Sequence, residues 1–212
     1  MVRTWATDDP KAALMARKRA QIVAAARTAF LGEGYAASSV NKIADDAGVS
    51  IKTLYRHFET KDELFTAVIA GLCAPEGQSP RNPAWYNDPP EIGLVRAGEE
   101  YLRHVLSGEQ LALYRIVAHD VHRFPELGRI YRREVLVRAG LLFVAYLDRW
   151  RERSNWRITD EYEAAAVFGG LLKAGLFDQA LLGGARPDAE QITRRARHAT
   201  DEFLTVLAAG CL

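Results

Sequence analysis

The amino-acid sequence predicts an all-α protein, and three observations lead to this prediction. Apolar residues recur at helical spacing along most of the 212 residues. No segment shows the alternating apolar and polar pattern, bounded by turn residues, that is typical of a β-strand. The main interruption is the segment Ala74–Pro90, which contains five of the eight prolines and therefore cannot be one continuous helix.

The first helix is predicted from about Ala12 to Leu31. Ile22, Ala26 and Phe30 are four residues apart, so they form one apolar stripe along the helix. The helix is expected to end at Gly32–Tyr35, a segment that contains two glycines. We therefore expect a helix that packs through one face and is rich in Ala and Arg elsewhere.

Residues 40–57 predict two short helices joined by a tight turn. Apolar residues occupy the i, i+3, i+4 and i+7 positions of the segment Val40–Ala47, and Ser38 or Ser39 precedes it as a helix cap. Gly48 can adopt the left-handed conformation that ends a helix. This pattern gives the first helix of the pair one apolar and one polar face.

The second short helix presents a mixed polar surface. Ser50 is a favourable N-cap for it, and Leu54 and Phe58 are placed to face inward. The outward set consists of Ile51, Lys52, Thr53, Tyr55, Arg56 and His57. Such a helix pair suits the major groove of DNA, which favours a helix-turn-helix. The alternative is a helical hairpin whose polar face only meets water.

A fourth helix is predicted directly after this pair. Thr60 and Glu63 have the spacing of a capping box, which marks a helix start. The apolar residues that follow repeat at helical spacing and are Leu64, Phe65, Val68 and Ile69. Three helices in a tight bundle and a fourth that leaves it are therefore expected.

The N-terminal third of the chain resembles the TetR-type transcriptional regulators. The resemblance rests on segments that follow one another in the family's order: Ile22–Ala26, Phe30–Tyr35, Ser38–Val40, Ile43–Ala44, Ala47–Ser50, Thr53–Phe58 and Lys61–Leu64. Arg115–Leu127 is similar to the ligand domain of a subgroup of these proteins, and the rest resembles them only in length and helicity. The resemblance implies a repressor that a small-molecule ligand releases from a palindromic operator, with activation as an alternative.

The resemblance also implies contacts with double-stranded DNA. It assigns Asn41, Ile51 and Lys52 to base edges in the major groove. Family positions that hold phosphates are occupied by Ser38, Ser39, Thr53, Tyr55, His57 and Lys61. Arg56 suits either role. The second domain is expected to supply a mostly apolar ligand cavity with a few polar groups, lined by Tyr101, Tyr114, Val117, His119, Val121, Phe143, Tyr146 and Phe168.

Together these patterns divide the chain into four parts. Residues 12–60 form the helix-turn-helix domain, 61–73 the connecting helix, 74–90 a Pro-rich loop, and 91–212 a larger helical domain for effector binding and dimerisation. Within the last part, helices are predicted near Ile92–Leu106, Glu109–Arg123, Pro125–Arg153, Thr159–Leu182 and Pro187–Ala209. Trp85 and Tyr86 in the loop are expected to pack onto this domain.

The segment Ala164–Leu182 is apolar almost all round, so a homodimer is expected. A helix of this kind must be covered on every side. One stripe should pack on residues 143–147 and the other on a second copy, with the candidate interface Val167, Phe168, Leu171, Leu172, Gly175 and Leu176. The alternative is that this helix is the central one of a monomeric bundle.

An enzyme is the rival class of function. His119 and His122 lie three residues apart and suggest a metal pair, which leaves a helical metal-dependent enzyme or ligand-binding protein as the alternative. No third ligand is evident, and Gly169-Gly170 and Gly183-Gly184 lack the flanking residues of a phosphate loop. We therefore assign no catalytic residue, metal or cofactor.

The charge of the chain limits how it can bind nucleic acid. The net charge is +1, and residues 1–70 contain ten Lys or Arg against eight Asp or Glu, which gives only +2. DNA contact must therefore depend on local placement of cations rather than on bulk charge. No secretion signal is evident in residues 1–16 and no apolar run is long enough to span a membrane, so a cytoplasmic protein is expected.

Overall fold

A computed structural model describes residues 10–73 and 83–210, and every regular element in these ranges is helical. The α-helices are α1 Pro10–Glu33, α2 Val40–Asp46, α3 Ile51–His57, α4 Lys61–Cys73, α5 Pro90–Val105, α6 Gly108–Asp120, α7 Pro125–Tyr131, α8 Arg138–Arg151, α9 Glu161–Lys173, α10 Leu176–Leu181 and α11 Ala189–Ala209. A 3₁₀ turn covers Ala84–Asn87, and a π-helical segment, Arg132–Val137, joins α7 to α8. The all-α prediction is confirmed.

The helices group into two compact units. The first unit contains α1 to α4 together with residues 116–135, and the second contains α5, the first part of α6 and all described residues from 136 onwards. The sequence analysis assigns residues 116–135 to one domain with the rest of 91–212. In the structure they belong to the first unit instead, because α7 packs on α4 and the Phe124 ring lies 5.2 Å from the Tyr35 ring.

The local signals for the helix-turn-helix are confirmed. The Ser39 side chain caps α2, and the Ser50 hydroxyl accepts the Thr53 N–H at 3.2 Å to cap α3. Gly48 has a φ of +65°, the left-handed conformation that ends a helix and that glycine adopts without strain. α1 begins earlier than predicted, at Pro10, which is a suitable first-turn residue because it needs no N–H partner.

Aromatic rings form the centre of the first unit. Phe30, Tyr35 and Phe65 lie with ring centroids 5.1–5.6 Å apart, at distances where edge and stacked contacts are favourable. The predicted inward stripes of α1 to α4 are buried around them: Ile22, Ala26, Ile43, Leu54, Phe58, Leu64, Val68 and Ile69. This core fixes α3 against α1 and α2.

The second unit is centred on α5, α9 and α11, with α8 against α9. Phe168 of α9 stacks on Phe143 at 5.1 Å and lies 4.9 Å from Phe203. The prediction that one stripe of this helix packs on residues 143–147 is therefore confirmed. Because Phe168 is buried between two other aromatic rings, it belongs to the core of its own chain.

Two long predicted helices are interrupted. The prediction of one helix over Thr159–Leu182 is wrong, because α9 ends at Lys173 and Gly175, with a φ of +76°, starts α10. The prediction of one helix over Pro125–Arg153 also needs correction, because the π-helical segment Arg132–Val137 separates α7 from α8. In both places the apolar pattern continues through a change in backbone conformation.

The described part of the Pro-rich loop packs onto the second unit, as predicted. Trp85 is buried, its Nε1 donates to Glu100 Oε2 at 3.1 Å, and its ring lies 5.5 Å from Tyr146. Gly93 permits this packing, because a Cβ at that position would overlap the Tyr146 hydroxyl. Residues 74–82 of the predicted loop, and residues 1–9 of the segment searched for a secretion signal, lie outside the described residues.

None of the helices in the described ranges combines the length and the hydropathy needed to cross a bilayer.

Replacing Phe168 by Ala should lower the free energy of unfolding by about 3–5 kcal/mol, because it leaves a cavity between two aromatic rings. Tyr162→Ala is the matched control on the same helix: Tyr162 is 54% exposed, whereas Phe168 is 3% exposed. The control should change stability by about 0.5 kcal/mol or less. Urea denaturation followed by far-UV circular dichroism measures both, and equal losses would contradict this placement of Phe168.

Candidate nucleic-acid interface

α3 separates its side chains into a buried and an exposed face. Leu54 and the following Phe58 are buried, whereas Ile51 is 38% and Tyr55 48% exposed, and Lys52 is exposed as well. Single exposed apolar side chains are common on protein surfaces, so their exposure shows only that this face of α3 is open. The outward set predicted for this helix is therefore available to a ligand.

The beginning of α2 adds a second exposed segment. Ser39 and Asn41 are exposed there, next to Lys42, whose Nζ lies 2.5 Å from Glu33 Oε1. Since both partners of this ion pair are exposed, it contributes little to stability. Asn41 is an exposed amide in the first turn of α2.

A basic cluster lies beside the end of α3. Arg56 Nη2 is 3.5 Å from Met15 Sδ, and the Arg19 guanidinium lies 4.8 Å from the centroid of the Phe58 ring. Burial, and then the positive charges of Arg56, Arg19 and Lys18, lowers the pKa of the His57 imidazole. In the protein without DNA this shift favours the neutral imidazole.

Ser38 is not placed to contact a phosphate, contrary to what the family resemblance implies. Its side chain is buried, and its hydroxyl donates to the Gly34 carbonyl at 2.5 Å. The contact closes the turn between α1 and α2. Ser38 therefore shapes the backbone that precedes Ser39 and does not offer its own hydroxyl to a ligand.

Lys61 has a structural role that the sequence did not predict. Its Nζ donates to the Tyr35 carbonyl at 2.5 Å and to the Ser38 carbonyl at 2.7 Å, and it lies 4.6 Å from the centroid of the Tyr35 ring. Burial lowers the pKa of this ammonium, and the Asp120 and Asp62 carboxylates oppose the effect. Because two of its three donors are used within the protein, Lys61 supports this turn and keeps one donor for a phosphate.

Asp120 is the important residue that sequence reasoning missed. It is 2% exposed, and its Oδ2 accepts the Ala36 N–H at 3.1 Å. Burial on its own would raise the pKa of this carboxyl, but hydrogen bonds from His119 and Ala36 outweigh it and lower the pKa. The only signal in the sequence was its position within the His119-Asp120-Val121-His122 cluster.

That cluster does not assemble a metal site in the described part of the chain. The His119 side chain is 86% exposed, and its Nδ1 lies 2.8 Å from Asp120 Oδ1. No group of three His, Cys, Asp or Glu side chains that could hold a metal ion occurs among the residues described. His119 therefore acts as a hydrogen-bonding partner of Asp120.

The residues predicted to contact an effector are divided between the two units. Val117, His119 and Val121 belong to the first unit, and the other five to the second: Tyr101, Tyr114, Phe143, Tyr146 and Phe168. Tyr146 and Phe168 pack with Phe143 as core residues, and the Tyr114 ring lies edge-on to Phe177 at 5.2 Å. Burial raises the pKa of Tyr101.

The predicted dimer interface also needs correction. Phe168 and Leu172 are buried within their own chain and therefore cannot face a partner. The other members of the set, Val167, Leu171, Gly175 and Leu176, remain partly or fully exposed. The apolar pattern alone did not distinguish the stripe that faces the core from the stripe that faces outward.

Two family models match the chain. The model described as "Bacterial regulatory proteins, tetR family" matches residues 22–68, which include α2 and α3. The model described as "AefR-like transcriptional repressor, C-terminal domain" matches residues 93–209. The second match covers more than half of the 212 residues and reaches from α5 to the end of α11.

Curated relatives and a solved structure show the same likeness. The transcriptional activator FasR of Mycolicibacterium smegmatis is 46% identical over 52 residues, 24% of each chain. The transcriptional regulator TcmR of Streptomyces glaucescens is 29% identical over 126 residues, which cover 55% of this chain and 53% of TcmR. The matches thus span a quarter to about half of the relatives' lengths. The structure of the flavonoid-responsive regulator FrrA is similar over 90% of this chain and 97% of FrrA, with 28% identity and a TM-score of 0.76.

Replacing Lys61 by Met should lower the free energy of unfolding by about 1–3 kcal/mol, because two backbone carbonyls lose their donor. Lys52→Met is the matched control, since Lys52 is exposed on α3. The control should stay within about 0.5 kcal/mol of the unmodified protein. Chemical denaturation compares the two, and a Lys61→Met protein as stable as the control would refute the structural role.

Proposed function

The chain belongs to the TetR family of transcriptional regulators, and on this basis we propose that it is a repressor released from a palindromic operator by a small molecule. The family assignment makes it a DNA-binding regulator and not an enzyme. The observation that carries the proposal is the exposed face of α3, which displays Ile51, Lys52 and Tyr55 on a helix anchored through Leu54 and Phe58.

The chemistry of this face suits base recognition. Lys52 can donate to guanine O6 and N7, and Ile51 can contact a thymine methyl group, contacts that discriminate between bases by about 1–3 kcal/mol. Asn41 at the start of α2 offers an amide that can pair with adenine. We assign these three residues to base recognition.

Other exposed groups around α3 suit the phosphate backbone. Ser39 and Tyr55 carry exposed hydroxyl groups, Thr53 a half-exposed one, and Arg56 adds a positive charge. Contacts of this kind fix the position and orientation of the helix without reading sequence. His57 and the remaining donor of Lys61 can add further contacts, whereas the Ser38 hydroxyl is used in the turn before α2.

Two copies of the chain are proposed to bind one operator. A two-fold dimer places two α3 helices in successive major grooves, which requires a palindromic site. The exposed stripe of the α9–α10 region supplies the apolar contacts through Val167, Leu171, Gly175 and Leu176. TetR-family regulators act as dimers, which supports this arrangement.

Repression is proposed because the matching C-terminal model is described as that of a repressor. The match with FasR, which is named as an activator, makes activation the second candidate. The two differ in outcome: loss of the protein raises expression from the operator if it represses and lowers it if it activates. A reporter gene placed behind the operator distinguishes them.

An apolar small molecule is proposed as the effector. The second unit is rich in aromatic side chains, and the similar protein FrrA is named as flavonoid-responsive. If the effector prefers the conformation with low DNA affinity, effector binding weakens DNA binding. DNA weakens effector binding by the same coupling free energy, typically about 1–3 kcal/mol. Titrating aromatic compounds against the protein–duplex complex, with fluorescence anisotropy as the readout, tests this step.

The purified protein should bind a palindromic duplex with nanomolar affinity that falls steeply as salt rises, because phosphate contacts release counterions. Lys52→Ala should relax the base preference at one position in each half-site, whereas Tyr55→Phe should weaken all duplexes alike. Anisotropy titrations with a panel of single-substitution duplexes measure both. Equal effects of Lys52→Ala on operator and scrambled duplex would contradict its assignment to a base.

Sedimentation equilibrium should give twice the chain mass of 23.6 kDa at micromolar concentration. Leu171→Arg should yield a folded monomer with weakened operator binding, because it buries an unpaired charge in the interface. Leu171→Ala removes apolar area without adding charge and should remain a dimer. Leu172→Arg should instead lose helicity, since Leu172 is 1% exposed within its own chain. A single 23.6 kDa species for the unmodified protein would exclude the dimer.

A further inference from the structure

Asp120 at the end of α6 binds a turn that is distant in sequence. This turn, residues 34–38, joins α1 to α2, and the Asp120 carboxylate accepts the N–H of Ala36, 84 positions away. The other carboxylate oxygen lies 2.8 Å from Nδ1 of His119. A carboxylate that is 2% exposed has to be compensated by such hydrogen bonds, since burying it unpaired would be costly.

Lys61 binds the same turn from α4. Its ammonium donates to the carbonyls of Tyr35 and Ser38, while Asp120 accepts the N–H between them. The positive charge of Lys61 and the negative charge of Asp120 attract each other within this arrangement. The backbone of the turn is thus held by an acceptor and by a donor of opposite charge.

The side chains of the turn are also fixed. The Tyr35 hydroxyl donates to Asp62, its ring packs on Phe65 and Phe124, and the Ser38 hydroxyl donates to Gly34. The turn therefore has little freedom to change conformation while Asp120 and Lys61 are in place. Ser39, which caps α2, follows directly after it.

The position of α2 depends on this turn. α2 contains seven residues and packs on α1 and α3, so the direction in which it starts sets where Asn41 is presented and how α3 is supported. A short helix makes few stabilising contacts of its own, so it cannot restore its position if the turn changes the direction in which it starts. A change in the turn should therefore reach the proposed DNA-binding face.

We propose that Asp120 is a positioning residue for DNA binding, which holds the turn of residues 34–38 so that α2 and α3 meet the major groove in the correct orientation. This inference rests on the proposed function. It assigns a role in DNA recognition to a carboxylate that is buried and does not touch DNA. A negative charge near DNA generally weakens binding. Asp120 is proposed to strengthen DNA binding instead, through its hydrogen bonds to the turn.

The test compares Asp120→Ala and Asp120→Asn with Glu126→Gln in the full chain. Glu126 lies in the same unit and pairs with Arg129 near the surface, so Glu126→Gln removes one negative charge away from the turn. Each protein is titrated with an operator duplex chosen by selection from random sequence and with a scrambled duplex. Circular dichroism and sedimentation are run on the same samples.

Asp120→Ala should weaken operator binding at least tenfold at a temperature where its helicity and dimer mass are unchanged. Asp120→Asn, whose amide oxygen can still accept the Ala36 N–H, should lose less. Glu126→Gln should bind as well as the unmodified protein or slightly better. Operator binding by Asp120→Ala within twofold of the unmodified protein, whatever its thermal stability, would overturn the proposal.

Hydrogen exchange provides a readout that does not depend on DNA. Peptides that cover residues 34–46 should exchange faster in Asp120→Asn than in the unmodified protein, while peptides from α5 and α11 stay unchanged. If Asp120→Ala does not fold, Asp120→Asn is used for the test. Hydrogen exchange and operator affinity that both match the unmodified protein in Asp120→Asn would then overturn the proposal. If the unmodified protein selects no duplex, the proposed function fails, whereas faster exchange would still show that Asp120 holds the turn.

Discussion

One buried and one half-buried charge hold the backbone of a short turn, and the proposed orientation of the DNA-binding helices rests on them. The Asp120 carboxylate accepts the N–H of Ala36, and the Lys61 ammonium donates to the carbonyls on either side of it. Each charge loses hydration on burial and regains stabilisation only from these backbone groups and from the other charge. Breaking these hydrogen bonds would leave a poorly solvated charge. The turn that leads into α2 is therefore restricted to the conformation that makes them. The exposed face of α3, anchored through Leu54 and Phe58, is supported by the helix that this turn positions.

The second unit is organised by apolar packing instead of buried charge. Phe143, Phe168 and Phe203 stack in series, and Leu172 completes the burial of α9 on its inner side. The outer side of the same helix leaves Leu171 partly exposed, and this difference separates a core stripe from a surface suited to a second copy. The two units thus have different tasks in the proposed function. One presents a fixed polar face to DNA, and the other provides apolar surface for dimer formation and for an effector.

Local features of this protein could be predicted from sequence, and features that depend on distant contacts could not. Ser39, Ser50 and Gly48 act on backbone groups within a few residues, so their cap and turn roles follow directly from the chain. The family positions of Ser38 and Lys61 predict phosphate contacts, but the Ser38 hydroxyl and two of the three Lys61 donors bind backbone carbonyls that only the folded structure brings close. The contact between Asp120 and Ala36 spans 84 positions and leaves no local pattern. The break at Gly175 was missed because the apolar periodicity continues through it.

The central claim is that two copies of the chain recognise one palindromic DNA site through α3. The most direct test is to select duplexes from random sequence with the 212-residue protein and then to footprint the enriched sequence with hydroxyl radicals. The account predicts two inverted half-sites whose centres are about one helical turn, 10–10.5 base pairs, or a multiple of it apart. Protection should occur on one face of the duplex, symmetrically about the centre. Enrichment of a single asymmetric half-site, or of no sequence at all, would contradict the account.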